Sequence, residues 1–213
     1  MSNAVTIVDY GSGNLLSVAR AFEHCGARVE LTRDPAVVAA ADRLVLPGVG
    51  AFADAMGGLR DAGLVEPLLR FAQTGRPLLG ICLGMQMLAH ASEEFGVHEG
   101  LGLVAGRVTA IPDRDDAGAP LKRPHIGWSD LHLPDGLASW QGTCLENVVP
   151  GAAVYLVHSY RFVAADPRDV LAECRYGGHR ITTAIRSNAI VGCQFHPEKS
   201  GTVGLSIVRR FIA

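Results

Sequence analysis

Leu78-Leu79-Gly80-Ile81-Cys82-Leu83-Gly84-Met85-Gln86-Met87-Leu88-Ala89 runs an apolar stretch directly into a helical pattern, with a cysteine at the junction and a glycine two residues to either side. The first four residues read as a strand, and Met85 to Ala89 as part of the helix that follows. A strand that turns sharply into a helix, with small residues flanking a nucleophilic side chain, is the sequence pattern of a nucleophile elbow in cysteine form. Such a turn strains the residue at its tip and lets the neighbouring backbone pass close by.

Upstream of this stretch the same alternation repeats. Val5 to Val8 is a short apolar run; Leu15, Val18, Ala19 and Phe22 fall on one helical face; Val29 to Leu31 and Leu44 to Leu46 are again strand-like; and Met56-Leu59 and Leu64-Phe71 carry helical spacing. Strands alternating with helices imply an open, mostly parallel α/β sheet flanked by helices, with ligands at the carboxyl ends of its strands. Beyond about residue 100 the pattern changes. Leu101 to Ile111, Ile126 to Leu133, Val154 to Val157, Val170 to Cys174, Ile181 to Ile185 and Ile190 to Phe195 read as short strands with polar, Gly or Pro breaks. This predicts an additional antiparallel section laid against the first half, within one domain over residues 1–213. Val203 to Ile212 returns to helical spacing, and Asp113 to Ala119 is the candidate mobile surface loop.

Bulk properties narrow the function classes. With 213 residues, 48% of them apolar, the chain has enough material for one sizeable core. The formal charge of −2, with nineteen basic residues scattered along the chain, argues against binding nucleic acid. Five cysteines (Cys25, Cys82, Cys144, Cys174 and Cys193) without a CxxC spacing argue against a disulfide framework and a structural zinc site, and fit a reducing cytoplasm. No basic segment precedes a long apolar run, and no uncharged apolar stretch nears the roughly 18 residues of a membrane span. A soluble, unexported protein without membrane contact is expected. The polar opening Met1-Ser2-Asn3-Ala4 carries no weight in this reading.

A reactive cysteine needs a base. Most free cysteines are small buried hydrophobes, and that reading suffices for Cys25, Cys144, Cys174 and Cys193. Cys82 differs through its glycines and its place at a helix N-terminus, where partial positive charge favours the thiolate. Of the eight histidines, His196 stands out: in Gln194-Phe195-His196-Pro197-Glu198 it follows an apolar strand and precedes a carboxylate by two residues. A base beside the thiol and a third group to orient the imidazole are what cysteine catalysis requires. A solvated surface turn or a metal site are the competing readings, though spacing suggests no further ligand.

The G-x-C-x-G-x-Q elbow at Gly80 to Gln86, followed late by H-P-E at His196 to Glu198, resembles the class I (triad) glutamine amidotransferases. That family's fold, an open α/β sheet with a nearby antiparallel section, agrees with the reading above. The resemblance implies Cys82 as nucleophile on L-glutamine, His196 as base and then acid, and Glu198 as the group orienting His196, with no cofactor and no metal. It also implies an oxyanion hole formed by the N–H groups of Leu83 and of Val49. Val49 lies in Pro47-Gly48-Val49-Gly50, which by itself could be a plain glycine turn. Gly50, Gln86, Glu94, Ser159 and Tyr160 would hold substrate, with His158-Ser159-Tyr160 forming a wall through its backbone. Without the family, Gln86 would read as an exposed helix residue and Glu93-Glu94 as a solvated helix end.

Three further segments, Asp9-Tyr10-Gly11-Ser12-Gly13-Asn14, Pro124-His125-Ile126-Gly127-Trp128 and Leu156-Val157-His158-Ser159-Tyr160, are similar to the glutaminase subunits of imidazole glycerol phosphate synthase, over nearly the whole chain. The first lacks a full G-x-G-x-x-G and is not read as a nucleotide site. This likeness implies a heterodimer with a (β/α)₈-barrel cyclase subunit that receives ammonia, and places Asn14, His125, Trp128, Tyr155 and Lys199 at the interface. The glutaminase of another pathway (anthranilate, aminodeoxychorismate or pyridoxal phosphate synthesis) shares the triad but not these three segments together. A silent binding module or a γ-glutamyl hydrolase of the same fold is the alternative from a different class.

Overall fold

Residues 3–213 are described in a computed structural model; Met1 and Ser2, half of the opening segment set aside above, lie outside them. The chain begins with β1 (Ala4–Val8), α1 (Leu15–His24), β2 (Arg28–Thr32), α2 (Pro35–Ala40), β3 (Leu44–Gly48), α3 (Phe52–Asp61), α4 (Val65–Gln73), β4 (Leu78–Cys82) and α5 (Leu83–Met87). Short strands follow: β5 (Ala91–Ser92), β6 (His98–Glu99), β7 (Gly106–Ala110), β8 (His125–Asp130), β9 (Ala153–His158), β10 (Tyr160–Ala164), β11 (Val170–Tyr176), β12 (His179–Ser187) and β13 (Ile190–Cys193), before the closing α6 (Gly201–Ile212).

The main sheet has seven strands in the order β11-β12-β13-β4-β3-β1-β2. From β2 to β13 all neighbours run parallel; β12 and β11 extend the sheet antiparallel. Strand β4 is therefore central, and β3, β4 and β13 are buried along their whole length. Alternate side chains supply two apolar clusters, one on each face. Val45, Leu79 and Ile81 join Phe22, Phe195 and Ile207 on one side; Leu44, Leu46 and Leu78 join Phe52, Leu59 and Phe71 on the other. A four-stranded sheet, β10-β7-β5-β6, and the antiparallel hairpin β8–β9 complete the fold.

The expected antiparallel half is thus only partly separate. Ile190 to Phe195 contributes β13, which pairs parallel with β4 and so welds the second half into the first sheet. A strand buried on both faces is a continuous apolar run whatever the direction of its neighbour, so the sequence carried no sign of this. Within Leu101 to Ile111 only Gly106–Ala110 is extended; the preceding residues turn back, with the Leu101 and Leu103 amides bonded to the Met87 and Leu88 carbonyls. Helix α5 ends at Met87, and the Leu88 and Ala89 amides close it three residues back. The segments α2 and β10 carried too little periodicity to be foreseen. The Asp113–Ala119 loop is largely exposed and tied by its Asp115 amide to the Ala119 carbonyl and by its Asp116 amide to the Gly177 carbonyl.

Candidate active site

Register decides what meets at the end of the sheet. Gly48 pairs with Cys82 and Cys193 with Ile81, so the loop after β3, the tip of β4 and the segment after β13 all emerge at one edge. Cys82 has φ 56° and ψ −112°, the strained elbow expected at the strand-to-helix turn, at a cost of about 1–3 kcal/mol supported by the surrounding packing. The two bracketing glycines are explained by close approach. A Cβ on Gly84 would collide with the Leu46 carbonyl oxygen, and one on Gly80 would stand 2.8 Å from the Gly84 carbonyl.

His196 follows β13 and lines the same cavity as Cys82, close enough for the thiol to act on its imidazole. On its other side its Nδ1 is 2.8 Å from Glu198 Oε1, both side chains being nearly sealed from solvent. Burial by itself pulls the imidazole towards its neutral form. The hydrogen bonds and charges of Cys82 and Glu198 outweigh it and raise the His196 pKa to about 9. The arrangement sets an imidazole between a thiol and a carboxylate.

A cavity of about 290 Å³ opens over these groups, lined by Cys82, Leu83, His196, Val49, Gly50, Gln86, Glu94, Ser159 and Tyr160, with Glu198 behind His196. Gln86, which could have been an exposed helix residue, is 5% exposed. Glu94 is not a solvated helix end: its Oε2 accepts the Phe52 amide at the start of α3, 2.6 Å away. Residues given no bracing role from the sequence brace the site. Tyr10 Oη donates to the Pro47 carbonyl at 3.0 Å and Ser12 Oγ to the Val49 carbonyl at 2.9 Å, pinning the Pro47–Gly50 loop to the first βα turn. Gln194, fully buried, presents its amide Nε2 3.8 Å from Cys82 Sγ. His158, expected only as backbone wall, is buried with Nδ1 2.8 Å from the Tyr160 carbonyl and Nε2 3.3 Å from His125 Nδ1. Burial drives the His158 pKa down to about 4, overcoming the Tyr160 bond and assisted by the charges of His125 and His196. Tyr10, Ser12 and His158 lay in segments that carry the family resemblance and Gln194 in the late Q-F-H-P-E stretch, but none of these bracing contacts was expected.

The interface candidates divide. Trp128 and Tyr155 face each other across β8 and β9, ring centroids 6.0 Å apart, with Trp128 58% exposed. Lys199 is exposed and Asn14 is half-buried at the start of α1. His125 is turned inward: it is buried, bonded to His158 and Ser129, and stacked on Tyr176 at 4.0 Å. Its side chain presents no surface to a partner. Among the described residues no group of three or more His, Cys, Asp or Glu could hold a metal ion, and no helix is long and apolar enough to cross a membrane.

Comparison with known proteins places this geometry. The family model for glutamine amidotransferase class-I matches residues 6–213. The imidazole glycerol phosphate synthase subunit HisH 1 of Legionella pneumophila (strain Lens) is 50% identical over 210 residues, covering 99% of both chains. The corresponding HisH subunit of Syntrophotalea carbinolica is 48% identical over 208 residues, covering 97% of this chain and 98% of its own. Among solved structures, one described as a glutamine amidotransferase superposes with TM-score 0.71 at 19% identity, over 97% of this chain and 96% of that one. The PurLQS structure from Thermotoga maritima gives 0.69 at 19% over 99% and 98%; both show the likeness of fold alone. With a family model covering nearly its whole length and full-length relatives at about half identity, the chain belongs to the class-I glutamine amidotransferases, alongside the HisH subunits of imidazole glycerol phosphate synthase.

Proposed function

We propose that this chain is the glutaminase subunit of an imidazole glycerol phosphate synthase, hydrolysing L-glutamine to glutamate and ammonia at Cys82 and delivering the ammonia to a cyclase subunit in histidine biosynthesis. The observation that carries the reading is that Cys82, on a positive-φ elbow, and His196, bonded to Glu198, line one cavity.

His196 takes the Cys82 thiol proton as the sulfur attacks the side-chain carboxamide carbon of glutamine. Charge that develops on the amide oxygen is met by the N–H groups of Leu83 and Val49, and removing one such donor costs roughly 10²–10³ in rate. The imidazolium so formed gives its proton to the departing nitrogen. Ammonia leaves and a γ-glutamyl thioester remains on Cys82. Water, deprotonated by His196, then releases glutamate, while Glu198 holds the imidazole in one orientation throughout. Glu94 and Gln86 supply acceptors for the substrate α-ammonium and amide protons, and Gly50, Ser159 and Tyr160 close the cavity around them.

The partner we assign is a (β/α)₈-barrel cyclase, docked on the surface that carries Trp128, Tyr155, Lys199 and Asn14. The same reading takes residues 1–213 as one domain acting in the cytoplasm, without nucleic acid, membrane or cofactor; five free cysteines and a charge of −2 without a basic stripe support it. A glutaminase of another pathway is disfavoured by full-length relatives that carry the HisH name, and a silent binding module by the complete triad. The test is Cys82→Ala in complex with the cyclase. Glutamine-dependent synthesis is expected to vanish while ammonium-dependent synthesis persists; equal loss of both would overturn the assignment.

A further inference from the structure

We infer that Gln194 is a positioning residue for glutamine hydrolysis: it fixes the Gln86 amide so that its oxygen faces the substrate, and it directs its own amide N–H at the Cys82 sulfur. The inference rests on Cys82 being the nucleophile. It follows from donor and acceptor arithmetic in a buried network.

The Tyr160 carbonyl can only accept. It receives His158 Nδ1 at 2.8 Å and Gln86 Nε2 at 3.0 Å, so the amide nitrogen of Gln86 must face it. The second proton on that nitrogen goes to Gln194 Oε1, 2.9 Å away. With its oxygen committed to Gln86, Gln194 has one orientation left, and its Nε2 lies 3.8 Å from Cys82 Sγ. Both amides are thereby locked against flipping, and Gln194 is fully buried. Gln86 lines the cavity with its nitrogen fully used, so its oxygen is what it can offer a substrate N–H. The amide N–H aimed at the sulfur orients it and gives it a hydrogen-bond partner as it attacks.

The same chain reaches the surface hairpin. Because His158 Nδ1 donates to Tyr160, its Nε2 must accept, and His125 Nδ1 supplies the proton at 3.3 Å. His125 Nε2 then accepts from Ser129 Oγ at 3.0 Å, on the strand that carries Trp128. Gln194 is the last member before the nucleophile.

Two substitutions in the full chain, assayed with the cyclase, separate the two roles. Gln194→Met removes both the acceptor for Gln86 and the donor for sulfur; KM for glutamine is expected to rise about tenfold and kcat to fall about tenfold, each roughly one hydrogen bond's worth. Gln194→Glu keeps an acceptor for Gln86 but sets a carboxylate by the sulfur. Its KM should stay within about twofold of the unsubstituted protein while kcat, and the rate of Cys82 alkylation by iodoacetamide at fixed pH, fall about tenfold or more. Ammonium-dependent synthesis should be retained by both. Normal kinetics in both variants, or equal KM increases in both with unchanged alkylation, would overturn the inference. If either variant fails to assemble, the intact chain still decides: the Gln194 side-chain amide NMR signal must move when Cys82 is alkylated, and an unmoved signal refutes the contact. Failure of the nucleophile assignment would look different, as hydrolysis surviving in Cys82→Ala.

Discussion

His196 Nδ1 and Glu198 Oε1 are 2.8 Å apart, with 3% and 2% of the two side chains exposed, so the carboxylate acts on the imidazole almost without solvent screening. Together with Cys82 it holds the His196 pKa at about 9 against the opposing effect of burial. Glutamine hydrolysis is therefore expected to persist up to about pH 9 and to decline above it, as the proton destined for ammonia is lost. Glu198→Gln removes one of the charges that raise His196. It should reduce kcat by roughly 10²- to 10⁴-fold and move the alkaline limb to lower pH. A pH profile of glutamine turnover by the complex checks both, and an alkaline limb that stays in place would contradict the role given to Glu198.

Gly84 is required by space. A Cβ there would overlap the Leu46 carbonyl oxygen, which belongs to a buried strand and has no room to retreat. Gly84→Ala should cost about 2–3 kcal/mol, a fall in Tm of ~5–10 °C by calorimetry. Gly57, inside α3 with nothing within 4 Å of its would-be Cβ, is the control. Gly57→Ala should be neutral or stabilising by up to ~1 kcal/mol.

Much of this site was legible because its parts are local. The elbow lies within seven residues, Gly80 to Gln86, and His196 and Glu198 are two apart, so spacing singled them out as candidates and the family resemblance gave them roles. What escaped depends on contacts between distant segments. Ser12 meets Val49 across 37 residues, and Gln194 meets Cys82 across 112. Nothing in either short stretch announces the other. The same holds for the fold: the βαβ rhythm of the first half is a local signal, whereas the parallel pairing of β13 with β4 is a decision made in three dimensions. The inward turn of His125 was hidden for a related reason, since alternation along β8 buries its side chain while Ile126 and Trp128 face out.

Two histidines should give the folded chain opposite pH limits. His158 is held neutral, its pKa lowered by burial to about 4 from 6.5. Between those values the unfolded chain binds the extra proton, so stability is lost as pH falls from 6.5 towards 4. His196 is raised to about 9, and its contribution is fully present below 6.5 and lost as pH rises to about 9. Urea midpoints measured across this range should peak near pH 6.5. In His158→Gln, which keeps an uncharged hydrogen-bonding side chain, the acid-side decline should flatten; an unchanged slope would show that other groups control it.

Trp128 and Ile126 project from the same face of β8, 58% and 56% exposed, and Tyr155 stands directly across from Trp128. A large indole left this exposed gains little within the isolated chain, so its removal should hardly change Tm. Buried at the centre of a docked interface, an aromatic of this kind typically contributes about 2 kcal/mol or more. Trp128→Ala is therefore expected to weaken binding of the cyclase about thirtyfold, as read by titration calorimetry. His125→Ala should behave in the reverse manner, because its ring is buried against Tyr176, His158 and Ser129. It should lower Tm, with any change in cyclase affinity arising only through distortion of the hairpin. If the two variants traded places, Trp128 costing stability and His125 costing only affinity, the docking surface would have to be sought on a different face.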